Sequence, residues 1–254
     1  MTKDDEIDRW IDRLGPARVC EALAPCLSDD RVARIEAVLA ERLASVTCVV
    51  EDVYDPHNAA AAIRSCEGLG LSELHVVERG TRFDPTTAVT LAAHRWIAIH
   101  HHASVADAAS ALRARGFKVY ATLPDTDTTI DTIDVAQPVA LVFGNEHDGM
   151  TDEAVAACDG AVAIPMHGMT RSFNLSVSVA LAVSRVAERR RAHLGAPGDL
   201  ADDVKARLRA RWFALKIRGA AAIVDRYVSG ETHDGVAPGP HSGENSGRDD
   251  ASDE

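Results

Sequence analysis

Apolar residues Ile7, Trp10, Ile11 and Leu14 recur at helical spacing, and Ile35, Val38 and Leu39 repeat the pattern. Residues 1 to about 45 are therefore expected to form short helices, parted at Gly15-Pro16. At Ser45 the pattern changes. Val46-Thr47-Cys48-Val49-Val50 is a β-branched run that reads as a buried strand ending before Asp55-Pro56. Strands are expected at 73–77 and 96–99, and strand-length apolar runs follow at 117–121, 139–143 and 161–164. Helical stretches fall between them at 59–66, 86–93, 105–115 and 152–157. Strands alternating with helices imply βαβ units and an α/β fold with a mainly parallel sheet. A long helix is expected over 175–193, a break at Gly195–Gly198, and a basic helical segment from Asp199 to Val228, with Asp199 and Asp202 near its positive end. Beyond Ser229 the chain is Gly, Pro, Ser and acids, a composition expected to be disordered. The divisions are thus a helical extension (1–45), a core domain (46–195), a basic helical extension (196–228) and an acidic tail (229–254).

With 254 residues, 46% of them hydrophobic, the chain can bury one sizeable core. The formal net charge of −12 argues against a uniformly basic nucleic-acid binder, but it averages over two opposed segments. From Arg185 to Arg226 there are 11 Lys and Arg against 5 acids; from Glu231 to Glu254 there are 7 acids and one Arg. Five cysteines, with no C-x-x-C pair, suit a reducing compartment, and the acidic opening Met1–Glu6 does not resemble a leader. A soluble cytoplasmic protein with no membrane partner is expected.

No G-x-G-x-x-G turn or Walker loop follows the first strand, which argues against dinucleotide oxidoreductases and NTPases. Polar residues stand out at three other places. Pro56-His57-Asn58 opens a helix that Asn58 can cap, with Arg64 within reach of its entrance. The strand Ala140–Phe143 runs into Gly144-Asn145-Glu146-His147-Asp148-Gly149, a loop at the carboxyl end of a parallel strand, where ligands bind in such sheets. Ile164–Ala180 carries Gly168, Arg171, Ser172, Phe173 and Asn174 at the mouth of a helix whose first turns hold small residues. A cap, a plain turn and a second cap are the alternative readings of the three.

Taken in order, the three patches resemble the signature motifs of the SpoU/TrmH family of SPOUT RNA 2′-O-methyltransferases, over about Arg42 to His193. The resemblance implies a deep C-terminal trefoil knot, a homodimer, and S-adenosylmethionine (SAM) as methyl donor without a metal. It implies tRNA rather than DNA as partner, with ribose 2′-O-methylation most expected at the D-loop guanosine at position 18. Carried over by position, it assigns catalysis to Arg64, Asn58, Glu146, Ser172 and Asn174. SAM contacts fall to Thr122, Gly144, Ile164, Phe173 and Asn174. Where the family commonly has Leu, Gln and Lys, this chain has Phe173, Arg171 and His147.

Beside such a domain, the basic helix reads as a phosphate-contacting arm through Arg207, Arg211 and Arg218, joined by Arg171 near the site. His100-His101-His102 reads as surface, because consecutive strand residues point in different directions. Cys66 reads as core.

Overall fold

Strands whose residues are apolar on both faces can be stable only when covered on both sides. In the computed structural model, which describes residues 3–53, 55–78, 90, 92–145 and 148–229, the strands β1 (Val46–Glu51), β2 (Glu73–Val77) and β5 (Val139–Phe143) are buried at every position. With β3 (Ala98–His102), β4 (Lys118–Thr122) and β6 (Gly160–Val162) they form a six-stranded, wholly parallel sheet in the order β3-β2-β1-β5-β4-β6. The expected α/β class with a parallel sheet is what is found. The helical stretch expected over 86–93 falls almost entirely outside the described residues, as do Glu146, His147 and the tail from residue 230.

Alternation along β1 assigns the two faces of the sheet. Cys48 and Val50 point to α4 (Pro56–Gly68) and α7 (Leu175–Leu194), meeting Ile63, Val179 and Val183. Val49 points the other way, to α5 (Val105–Ala114) and α6 (Asp152–Ala156). Cys66 is core as expected: its sulfur lies 3.3 Å from that of Cys48, and this contact together with burial pushes the thiol well above its ordinary range.

The terminal segments form one body. Helices α1 (Lys3–Leu14), α2 (Pro16–Leu23) and α3 (Asp29–Ala40) share a core with α8 (Asp202–Lys216) and α9 (Ala220–Ser229), built from Ile7, Trp10, Val19, Leu23, Leu39, Trp212, Phe213 and Val224. The single helix expected over 199–228 is two, broken where Gly219 adopts φ +75°, a conformation that disfavours side-chain-bearing residues. Arg42 joins this body to the sheet domain. Its buried guanidinium bonds the Glu67 carboxylate at 2.6 Å and the Leu71 carbonyl, and lies 5.3 Å from the centre of the Trp212 ring.

The histidine run is only partly surface. His100 and His101 are exposed, but His102 Nε2 lies 2.9 Å from Nδ1 of buried His75, and both His100 and His102 stack on His75. Glu73 underlies the group. Burial acts to raise its carboxyl, but contacts from His100, His75 and Arg115 hold it well below the usual carboxylate range. Among the described residues no cluster of His, Cys, Asp or Glu has the arrangement of a metal site. His102 is shifted down from its ordinary value by burial and by its neighbours His75, His100 and His101, against a smaller opposing effect of Asp107. A base whose folded value is depressed contributes fully above its unfolded value, about 6.5, and less as pH falls below that. Stability should therefore decline on acidification from pH 7 towards 5, and His102→Gln should flatten this slope. Equal slopes for the two proteins in chemical denaturation would refute the assignment.

Candidate active site

Three chain segments converge beyond the carboxyl ends of β4 and β5 around a cavity of about 470 Å³, within the range of small-molecule sites. The first leaves β4 and contributes Thr122, Leu123 and Pro124. The second leaves β5 with Phe143, Gly144, Asn145 and Asp148–Met150. The third follows β6 with Ile164, Met166 and Arg171–Phe173, then Leu175 and Ser178 at the start of α7.

The second segment folds back on itself. Asn145 and Gly149 exchange backbone hydrogen bonds of 3.0 and 3.1 Å, and Asp148 N–H donates to the Asn145 side chain. Gly149, at φ +71°, makes the turn. The returning strand passes so close that a Cβ on Gly144 would lie 2.3 Å from Gly149 C and Met150 N. Only glycine fits at 144. Thr122 ties the first segment to the second by donating its hydroxyl to the Val142 carbonyl.

Asp55, not Asn58, caps α4: its carboxylate accepts from His57 N–H at 2.8 Å, and Pro56 occupies the first helical position. Asn58 is thereby released for a longer reach, and its Oδ1 accepts from Asn174 Nδ2 at 3.1 Å. Asn174 in turn is the cap of α7, accepting from Ser176 N–H at 2.9 Å. Ser172 is not the cap but lines the cavity. One hydrogen bond thus joins two of the three sequence patches at the cavity's edge.

Of the five positions expected to meet SAM, Thr122, Gly144, Ile164 and Phe173 line the cavity and Asn174 lies beside it. Arg64 does not line it. It is exposed on α4, bordering a shallower groove with Gly68, Leu69, Leu181, Ser184 and Arg185. Leu123, Pro124, Met150 and Met166 were not singled out in the sequence; the position of Leu123-Pro124 directly after a parallel strand was the available signal.

The expected RNA arm is altered. Arg207 pairs with Asp12 at 2.6 Å, Arg211 with Asp8 at 2.5 Å, and Arg209 with Glu36, all acids of α1 and α3. Two of the residues expected to meet phosphate are thus engaged within the helical body. Arg218 lies in the bend before α9 and is exposed, as is Arg171. Near it in sequence, Lys216 Nζ stands 4.6 Å from the centre of the Trp96 ring.

This arrangement has known counterparts. Over 155 residues the chain is 36% identical to tRNA (guanosine(18)-2'-O)-methyltransferase of Thermus thermophilus, spanning 61% of this chain and 80% of the relative. The solved structure of the A. aeolicus TrmH/SpoU tRNA modifying enzyme shares the fold, with a TM-score of 0.61 at 23% identity over 81% of this chain and 98% of that one. The SpoU methyltransferase AviRb from Streptomyces viridochromogenes, solved in complex with AdoMet, matches with a TM-score of 0.51 at 25% identity, covering 59% and 58% of the two chains. Residues 45–184, more than half of the chain and containing all three sequence patches, match the family model itself, and the protein belongs to the SpoU rRNA Methylase family.

Proposed function

We propose that the protein methylates the 2′-hydroxyl of a tRNA ribose, at the D-loop guanosine at position 18, with SAM as donor. The observation that carries this reading is the cavity at the ends of β4 and β5 joined to the Asn58–Asn174 contact, in a chain whose Thermus relative is named for that reaction. The cavity fits the donor in size, and its wall at Gly144 leaves backbone rather than side chains to meet a flat nucleoside. Bound there, SAM supplies a methyl group activated by its sulfonium. The protein must then present a ribose hydroxyl, a poor nucleophile at neutral pH, in line with that methyl. Arg64 serves this by holding a phosphate or the hydroxyl and stabilising the charge that develops, since a guanidinium stays protonated. Asn58 and Asn174 fix the entrance of α4 against that of α7. Ser172 and Arg171 border the donor's pocket on the RNA side, and Glu146 belongs to the same loop as Gly144. The segments 143–149, 164–171 and 173–180 would thread the trefoil knot.

The distance of Arg64 from the cavity is resolved by a second copy. Phe173, just before the cap of α7, and Val177 and Leu181 on its first turns are 39%, 43% and 37% exposed and form an apolar patch along the start of the helix. Phe173 borders the cavity at one end, and Leu181 borders the Arg64 groove at the other. In a two-fold dimer each end of such a patch meets the opposite end of its copy. The Arg64 of one subunit then faces the cavity of its partner.

The RNA path runs over Arg171, Arg218 and Lys216, the last held on Trp96, while Arg207 and Arg211 act in the helical body. Point substitutions test this better than truncation, because removing α8 and α9 would take Trp212, Phe213 and Val224 out of a shared core. Combined Lys216→Ala and Arg218→Ala should weaken tRNA binding and lower the slope of log K against log salt by about 1.5, near the value for two phosphate contacts. An unchanged slope would exclude these contacts. The overall reading is tested by mapping ribose methylation in total tRNA incubated with purified protein and SAM. A new 2′-O-methyl group at guanosine 18 is expected; methylation elsewhere, or in ribosomal RNA alone, overturns the target.

A further inference from the structure

Between β4 and β5 the chain travels from Leu123 to Pro138 without a helix or strand, forming a strap against α7. Connections of this length inside a compact domain are uncommon and usually functional. Their difficulty is the backbone, because carbonyls outside regular structure still need partners. Here the partners are arginines. Arg189 donates from its two terminal nitrogens to the carbonyls of Ile130 and Ile133, both at 2.7 Å. Arg190, buried, donates to the carbonyls of Val135 and Ala136 at 2.7 and 2.8 Å and to Ser45 Oγ at 2.8 Å. Arg185 pairs with Asp131 at 2.7 Å, an exposed bridge that adds little.

The strap bears on the cavity from both ends. Its first residues, Leu123 and Pro124, are part of the cavity wall. Farther along, Ile130 N–H donates to the Ala163 carbonyl at 3.0 Å and Ala163 N–H donates to the Thr128 carbonyl at 2.8 Å, which fixes the residue just before the wall residue Ile164. The same α7 that seats Leu175 and Ser178 at the cavity therefore grips, more than two turns further on, the segment carrying the opposite wall.

We propose that Arg189 and Arg190 are positioning residues for the methyl donor, setting the width of its pocket through the strap without touching the donor. This rests on the cavity being the SAM site. Arg189 is the residue to test, since a lysine lacks the rigid fork whose two terminal nitrogens each meet one of the carbonyls. Arg191 is the control: it stands on the same helix but donates to the carbonyls of Pro197, Leu69 and Glu41, away from the strap.

In the full chain, Arg189→Met should raise the Kd and KM for SAM about tenfold, the scale of one charge-assisted hydrogen bond, with kcat at saturating SAM and KM for tRNA within about twofold. Arg189→Lys should recover part of the loss. Arg191→Met should lower the melting temperature without moving the KM for SAM. Should the Arg189 variants fail to fold, hydrogen exchange on the wild-type protein provides the same test, and SAM should slow exchange at the Ile130 and Ala163 amides. The inference fails if Arg189→Met shifts SAM affinity no more than Arg191→Met, or if SAM leaves those amides unchanged. A wild-type protein that binds no SAM would overturn the cavity assignment itself, a separate and recognisable outcome.

Discussion

Arg64→Ala is expected to lower methyl transfer to tRNA on the order of a thousandfold or more, the scale of losing a group that stabilises developing charge, while SAM affinity stays within about twofold. The separation follows from position: Arg64 lies on the exposed face of α4 and outside the cavity lining, so its loss leaves the walls of the proposed SAM pocket in place, and in the proposed dimer it faces the acceptor side of the partner's cavity. Stability should hardly change, because among the described residues Arg64 has no hydrogen-bond or ion-pair partner to lose. Lysine at this position should recover little, since a single ammonium cannot hold a phosphate and a hydroxyl in one plane. Radiolabel transfer with calorimetric titration of SAM measures both quantities. Near-normal transfer by the alanine variant would remove Arg64 from the mechanism.

Gly144→Ala should fail in the opposite way, losing SAM affinity by about a hundredfold or more, equivalent to about 2.7 kcal/mol. The added methyl would lie 2.3 to 2.4 Å from backbone atoms of Gly149 and Met150, where no side chain can swing aside. The loop must retreat by about 1 Å to restore ordinary contact, and overpacking of this kind costs about 1–3 kcal/mol. Since Gly144, Gly149 and Met150 all line the cavity, that retreat distorts the donor's pocket. A variant that binds SAM normally would show the loop to be more compliant than its contacts imply. The two defects also complement. In the proposed dimer, co-expressed Arg64→Ala and Gly144→Ala chains would pair so that one cavity is intact and faces an intact Arg64. About a quarter of wild-type activity should return if subunits pair at random. If the arginine serves its own subunit's cavity, nothing returns.

The parts of the fold that could be read from the sequence are those whose physics is local. β1 and β5 were legible because a strand covered on both faces is mostly apolar, and the loop after β5 because a parallel sheet places its ligands there. What was missed depends on partners distant in sequence. A basic stripe facing solvent and one facing an acidic helix look the same from within α8, so the engagement of Arg207 and Arg211 by Asp8 and Asp12 could not be seen. The strap gave no periodic signal, since it is anchored by Ile130 and Ile133 and otherwise held by arginines from α7. Asp55 was passed over as a cap in favour of Asn58, although Asp before Pro is a sound N-terminal signal. Gly219 likewise marked the break before α9. At the site, the ordered motifs located the cavity, but the separation of Arg64 from it is a matter of geometry.

The shared core of the first and last helices has a consequence during synthesis. A ribosome makes the chain from its N-terminus, so Ile7, Trp10, Val19 and Leu23 emerge long before Trp212, Phe213 and Val224, the residues that cover them. At ordinary elongation rates the interval is roughly ten to forty seconds. Throughout it the sheet domain can complete itself, while α1 to α3 carry an uncovered apolar face. The nascent protein therefore has a window in which a chaperone, or the same face on a neighbouring nascent chain, competes with its own C-terminus.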